Sequence, residues 1–538
     1  MIENHPRRTG PGRPSNIPCL VLLFVTGGVI LALEVLASRI MSPYFGVSLY
    51  IWAGILSITL ISLAFGYYLG GIISERSDEE RLRSILLFLP ALASIGIFVS
   101  RLIYPGVFPR IAHFSLITGS FAACVILLAI PLILLSAMNP ILIAIHHTKK
   151  RSDSRAGMIF FISTMGSVTG VIVTAFALIP NIPNSKGILI LGWVLGTATL
   201  VTTFFSPPLR RLNKTFILVT AAVGTILCAG AYFLTSNTHD PTSYVIAEIP
   251  SFFSAIKVVD MHTQSRLSPK RRLYTTHGAN QSIMDAETGL SLTEYNYTLI
   301  NTALAIKPHA RSALVLGLAG GLMPRMLHEK GLEVQAVDID PKSVEVAKRF
   351  FHFDPVAVPV YIEDARTYVR QCERKYDLIF IDIFNSGNMP DYLMTREFFL
   401  DLADCLTQDG IAAINSVQIK TSSGPLKLLQ STIMSVFPHL ITLDDPYGKT
   451  GDAVSVALFA SNNKLPHQLT VDLSNVPPLL KNRISKATAK IRHIDKTSLK
   501  GIAPATDDCN SVAVVYAKTL IDIRRLIVKS SPGELLLN

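Results

Sequence analysis

The chain has 538 residues, 49% hydrophobic and 16% charged, with a mean hydropathy of +0.42 and a formal charge of +11. That is too apolar for an ordinary soluble protein, so much of its surface belongs in lipid. The positive balance invites a nucleic-acid reading. The basic residues, however, gather in short loops between apolar runs, where membrane orientation explains them and no nucleic-acid partner is expected.

Residues 1–16 are polar, with Arg7, Arg8 and Arg13 among prolines and glycines, and read as a disordered basic arm. Residues 17–236 form a predicted transmembrane helical domain, and a cell-membrane, multi-pass protein is expected. Its runs are Ile17–Ile40, Leu49–Ile73, Ser84–Tyr104, Leu116–Ile145, Ala156–Ile179, Gly187–Phe205 and Thr215–Leu234. Each approaches or exceeds the ~20 residues needed to cross a bilayer.

Basic residues recur in alternate loops: Arg76, Arg81 and Arg83; Lys149, Lys150, Arg151 and Arg155; Arg210, Arg211 and Lys214. By the positive-inside rule these loops and the arm are cytoplasmic, and seven crossings then put the carboxyl-terminal half on the far side. The fourth run holds Pro131 and Pro140 and could break into two passes. Gly66 with Gly70, and Gly166 with Gly170, have the spacing that lets helices approach closely; packing inside the bundle is expected, with a homodimer face as the other use. Glu34 within the first run is a candidate functional carboxylate or a hydrogen-bonded structural one.

The six cysteines lack metal-ligand spacing, and no metal is expected. Three of them, Cys372, Cys405 and Cys509, fall in the polar half, an odd number that argues against a closed disulfide framework.

Residues 237–290 carry alternating pieces, AIKVVDM and RRLYTTHG, that predict a small antiparallel β unit. Residues 291–538 read as an α/β Rossmann-like domain. Glu294 to Tyr297 open a helix. The runs ALVLGLAGG, LEVQAVDIDP, VPVYIEDAR and YDLIFID then each end at a glycine turn or an acid, as buried parallel strands do. The sheet continues through GIAAINSV and AVSVALFA to about Ala460; 462–500 look irregular, and a last helix covers Ser511–Lys529.

Ligands of such sheets sit outside the carboxyl ends of the strands. Gly317, Gly320 and Gly321 permit a tight turn and close backbone approach before a helix near Leu322. Asp338 follows Gly317 by about 20 residues, where an acid reaches ribose hydroxyls. Asp364 and Asp382 end the next two runs. A pyrophosphate has no use for so many carboxylates, whereas a sulfonium nucleoside or an amine is stabilised by them. The other use of a strand-end Asp is to cap a helix or turn.

The run LEVLASRIMSPYFGVSLYIWAGILSITLISLAFGYYLGG, the GLAGG turn, VDIDP, EDAR, YDLIFIDIFNSGNMPDYLMTREFF and TDDCNSV together resemble the membrane-fused spermidine synthase-like proteins. These join a multi-span part to a polyamine aminopropyltransferase domain. The resemblance implies transfer of the aminopropyl group of decarboxylated S-adenosylmethionine, a co-substrate, to putrescine or a similar amine, with no prosthetic group.

It also implies that Gln281 is the glutamine of the DGxxQ element, with His277 in place of its aspartate. Tyr295 or Tyr297 is the cleft tyrosine. Asp338 binds the ribose, Asp364 and Ala365 lie at the adenine, and Asp382 borders the amine. Two positions depart from the pattern. Ala319 stands where a GGGDGG-like turn has its Asp, and Asn385 stands where a DxxD pair has its second Asp, the expected base. An amide cannot accept the amine proton, and Asp391 nearby is the substitute to consider. Two alternatives share the same residues: methyl transfer from S-adenosylmethionine, and a non-catalytic membrane protein that binds or moves a polyamine.

Overall fold

The computed structural model describes residues 17–46, 49–114, 116–145, 152–206, 211–234, 243–265, 268–384, 389–420, 423–444, 448–531 and 533–536. Two compact units emerge: residues 1–41 with 49–236, and residues 42–48 with 237–538.

The first unit is helical: α1 (Ile17–Phe45), α2 (Leu49–Arg76), α3 (Glu79–Phe114), α4 (Leu116–Cys124), α5 (Ile130–Ser136), α6 (Met138–Ile145), α7 (Ser152–Val173), α8 (Asn184–Phe205) and α9 (Arg211–Leu234). Among the described residues, seven helical stretches are long and apolar enough to cross a membrane. The fourth, Thr118–Ile145, is one stretch and not two: a π-helical turn at Val125–Ala129 links α4 to α5, with Pro131 in the first turn of α5 and the Ile126 carbonyl accepting from Ser100 Oγ at 2.8 Å.

Large apolar side chains face outward from this unit, with Phe176 68%, Phe204 69% and Phe233 80% exposed. The paired glycines are used inside it. A Cβ on Gly66 would meet Ser136 Oγ at 1.8 Å, and one on Gly170 would meet the Gly28 carbonyl at 2.2 Å. Those stripes let α2 seat on α5 and α7 on α1, backbone against backbone.

The second unit opens with a four-stranded antiparallel meander, β1 (Ser243–Pro250), β2 (Ala255–His262), β3 (Lys270–Thr276) and β4 (Ala279–Asp285). His277 and Gly278 connect β3 to β4, both at positive φ (49° and 76°), the conformation that matches the twist of a two-residue hairpin.

There follow α10 (Glu294–Ile306), β5 (Ser312–Leu316), α11 (Leu322–Glu329), β6 (Glu333–Asp338), α12 (Pro341–Phe350), β7 (Val360–Ile362), α13 (Ala365–Arg370), β8 (Tyr376–Ile381), α14 (Arg396–Cys405), β9 (Leu406–Ile419), α15 (Ser423–Met434), β10 (His439–Asp444), β11 (Ala453–Ser461), α16 (Pro478–Thr488), β12 (Arg492–His493) and α17 (Val512–Ser530). One eight-stranded sheet runs β12-β10-β11-β9-β8-β5-β6-β7; β5 to β9 are parallel and the remainder antiparallel. The stretch read as irregular, 462–500, contains α16 and the edge strand β12, whose short, basic sequences carried no periodic signal.

The two faces of the sheet are separate cores. Leu314, Leu316, Ile379 and Ile381 pack with residues of α13, α14, α15 and α17, while Ala313, Val315, Leu378 and Phe380 pack with residues of α10, α11 and α16. Apolar residues on both faces of one strand explain the unbroken runs in the sequence. Chain order reverses between β5, which leads outward to β6 and β7, and β8, which leads to β9. That reversal opens a crevice at the carboxyl ends of β5 and β8.

Candidate active site

Gly317 sits at the reversal. Its φ is +99°, and a Cβ there would lie 2.3 Å from the carbonyl oxygen of Asp382, so the ends of β5 and β8 close together only around a glycine. Next to it opens a cavity of about 330 Å³, large enough for a nucleoside. Gly317, Asp338, Asp364, Ala365, Asp382 and Gln281 all line it.

The predicted carboxylates therefore share one hollow, and two further acids join them, Asp340 and Glu363. No Lys or Arg lines the cavity among the described residues. Gly320 and Gly321 are not on the wall. The Gly320 N–H donates to Ser282 Oγ (3.2 Å), and Gly321, at φ +70°, starts α11 against the ring of Phe353. Ala319 lines the cavity at φ +47°, a left-handed conformation uncommon for a residue with a Cβ.

Each acid is held differently. Asp338 accepts the backbone N–H of Leu318 at one oxygen (2.8 Å) and that of Asp340 at the other (2.8 Å). Burial pushes its carboxyl up to about 6, against the lowering pull of those amides. Asp340 caps α12 through the Lys342 N–H and accepts from Ser251 Oγ at 2.7 Å, with its carboxyl raised by burial. Asp364 caps α13 through Arg366 and Thr367, and its other oxygen accepts the Tyr392 hydroxyl at 2.6 Å. The capping use of a strand-end acid thus coexists with a place on the cavity wall.

Asp382 is held by side chains from two distant elements. Asn415, from the middle of β9, donates to one oxygen at 2.9 Å, and the Tyr295 hydroxyl donates to the other at 3.0 Å. Burial pushes the carboxyl up to about 6, opposed by those two donors. The Tyr295 hydroxyl is itself driven well above its ordinary value by burial and by Asp382, so it stays protonated and donating. Of the two tyrosines the spacing left open, Tyr295 is the one that reaches the site; Tyr297 is buried and donates to the Ser291 carbonyl at 2.9 Å.

Gln281 donates from Nε2 to Thr276 Oγ1 at 3.3 Å, and His277 lines the cavity with Nδ1 2.5 Å from Ser42 Oγ. Asp391 begins a short 3₁₀ turn between Pro390 and Tyr392, both of which line the cavity while Asp391 does not; burial raises its carboxyl. Asn385 lies outside the described residues. Among the described residues no group of acids, histidines and cysteines has the arrangement of a metal site.

Sequence reasoning missed Asn415, Tyr392 and Glu363. Asn415 was visible as a lone polar residue inside the apolar run GIAAINSV, where a buried amide needs a partner. Glu363 adjoins Asp364 in the chain. Tyr392 carried no local signal, because only the fold of the loop after β8 brings it to α13.

Residues 292–442 match the family described as the spermine/spermidine synthase domain. A polyamine aminopropyltransferase of Vibrio vulnificus is 32% identical to this chain over 171 residues, 31% of this chain and 55% of that protein. An N-terminal histidine N-methyltransferase of Emericella nidulans is 30% identical over 230 residues, 41% of this chain and 40% of that protein. The chain thus spans about half or less of the length of these relatives. A solved structure of a probable spermidine synthase from Corynebacterium glutamicum aligns with 50% of this chain and 97% of its own, at 18% identity and a TM-score of 0.40. The matched stretch encloses Tyr295, Gly317, Asp338, Asp364 and Asp382, whereas Gln281 and His277 come from the meander that precedes it.

Proposed function

We propose that the protein is a membrane-anchored polyamine aminopropyltransferase, taking the aminopropyl group from decarboxylated S-adenosylmethionine and passing it to putrescine or a similar amine. The observation that carries this reading is the charge of the cavity wall, five carboxylates and no Lys or Arg among its described residues. S-adenosylmethionine carries a carboxylate beside its ammonium, and such a wall repels it; the decarboxylated form keeps only the ammonium, which the wall attracts. The same sulfonium nucleoside, with or without that carboxylate, decides between propyl and methyl transfer. The outward-facing apolar surface of the helical unit supports anchoring in a bilayer.

In this reading Asp338 holds the ribose hydroxyls, Asp364 and Ala365 border the adenine, and Gln281 lies beside the donor. The amine nitrogen attacks the propyl carbon bonded to sulfur, the carbon–sulfur bond breaks with its electron pair kept by sulfur, and methylthioadenosine leaves. The proton lost by the attacking nitrogen goes to Asp382. A carboxylate with a value of about 6 is mostly ionised at neutral pH yet basic enough to receive it. Tyr295 and Asn415 fix its orientation and leave lone pairs free for the substrate. Asp382 fills the role left without a carboxylate by Asn385; Asp391, off the wall, is the second candidate.

The test offers the purified full chain putrescine with either donor and follows products by mass. Spermidine and methylthioadenosine from the decarboxylated donor, with no methylated amine from S-adenosylmethionine, is the expected result. Methylated product would move the assignment to methyl transfer. Amine binding without turnover by either donor would leave a non-catalytic binding protein.

A further inference from the structure

Cys372 lies two residues beyond α13, and Cys405 is the last residue of α14. They form a disulfide with a Cα–Cα distance of 5.7 Å across 33 residues of chain. Cys405 is buried in the core on that face of the sheet, and Cys372 packs against it. The bridge ties the far end of α13, the helix that Asp364 caps, to the far end of α14. A cytosolic protein keeps such a pair reduced; an exported one closes it. A second, independent observation lies in the loops. Seven apolar stretches with basic residues in alternate connections, starting from an arm with Arg7, Arg8 and Arg13, place everything after the seventh on the non-cytoplasmic face. The odd number of polar-half cysteines then resolves as one bridge with Cys509 left over.

From these two lines we infer that the synthase-bearing unit folds in an oxidising, non-cytoplasmic compartment, where Cys372 and Cys405 are joined as a structural disulfide. The chemistry is an exchange with a disulfide-bearing oxidant of that compartment. One thiolate attacks the oxidant's disulfide and releases one of its thiols, and the second thiolate attacks the mixed disulfide and releases the other. The two cysteines lose two electrons and two protons, and the oxidant is reduced to a dithiol. Neither line of the inference uses the cavity, so it can fail or hold apart from the aminopropyl-transfer reading, which in that compartment requires the donor and the amine to be supplied there.

Two measurements on the full chain in its membrane test it. Cells are acid-quenched, denatured and treated with a mass-tagged maleimide, with and without prior reduction. Of the six cysteines, four take the label before reduction and all six after. The Cys372→Ser variant takes the same number in both conditions. Six labels on the wild type before reduction would overturn the disulfide. Separately, the free, exposed Cys509 serves as a built-in reporter of sidedness. A membrane-impermeant maleimide is expected to label it on intact, right-side-out vesicles, and the Cys509→Ser variant to lose that label. Labelling of Cys509 only after the vesicles are opened would overturn the placement. In the purified chain, the Cys372→Ser and Cys405→Ser variants are expected to unfold about 5 °C or more below the wild type.

Discussion

Glycine serves the two units in different ways. In the helical unit, Gly66, Gly166 and Gly170 keep ordinary helical backbone and matter because another helix rests where a side chain would be, 1.8 to 2.2 Å from the absent Cβ. In the α/β unit, Gly317 matters on both counts, a left-handed φ and a neighbouring strand end 2.3 Å away. Polar residues divide likewise. The helical unit buries hydroxyls that bond back to helix carbonyls, as Thr199 and Thr203 do. The α/β unit gathers carboxylates at strand ends and supplies them with specific donors. One half uses its special residues for packing, the other for holding charge at a cavity.

The largest effect that would sharpen this contrast is expected at Asp382. On the proposed mechanism, Asp382→Asn should lower kcat by about 10²–10⁴-fold while methylthioadenosine still raises the melting temperature, because the substitution would remove the proton acceptor and leave the nucleoside pocket. A variant with ordinary turnover would move the base elsewhere, with Asp391→Asn the next to measure.

Glycine substitutions probe the constraint at Gly317 against a glycine with open space around it. Gly317→Ala should cost at least about 2 kcal/mol of stability, since it meets strain and a clash together. Gly71→Ala, with nothing within 4 Å of its Cβ position, should leave stability unchanged or improve it by up to about 1 kcal/mol. Thermal unfolding of the two variants in the same detergent compares them. Equal effects would mean that neither the left-handed φ nor the close approach of Asp382 constrains Gly317.

Removing one donor to Asp382 should matter less than removing the acid. Tyr295→Phe is expected to reduce kcat/KM by about tenfold, the loss of one charge-assisted hydrogen bond. It should also raise the acid limb of the pH–rate profile, because that hydrogen bond holds the Asp382 carboxyl down. An unchanged profile would separate Tyr295 from the base.

The smallest expected effect is on the stability of the ligand-free protein. The carboxyls of Asp338 and Asp382 are both raised to about 6 in the fold, so the folded state binds their protons more tightly than the unfolded chain does. Their contribution to stability is fully present below the ordinary carboxylate range and is lost as pH rises through about 6. The melting temperature should therefore rise relative to Asp382→Asn as pH falls from 7 to 5. A bound sulfonium nucleoside should shrink that dependence by compensating the buried charge.

The fold was legible where periodicity was strong. The apolar helices and the parallel strands of the sheet were readable because helices with an apolar outer surface and strands buried on both faces are each nearly continuous in apolar residues. The acids at the tips were readable for a related reason, since a charge ending an apolar run has few purposes. What escaped notice depends on long-range pairing. Asn415 finds Asp382 from 33 residues away, Tyr392 finds Asp364 across a loop, and Cys372 finds Cys405 on the next helix. The edge strand β12 pairs only two residues with β10, too short a stretch for any pattern to form.

The most direct test of the central claim is the pH dependence of kcat/KM for aminopropyl transfer by the full chain. An ionised Asp382 as the proton acceptor predicts a rate that falls tenfold per unit below a midpoint near 6, and a limb that disappears in Asp382→Asn. A rate independent of pH from 7 down to 5, or a limb that survives the substitution, would contradict it.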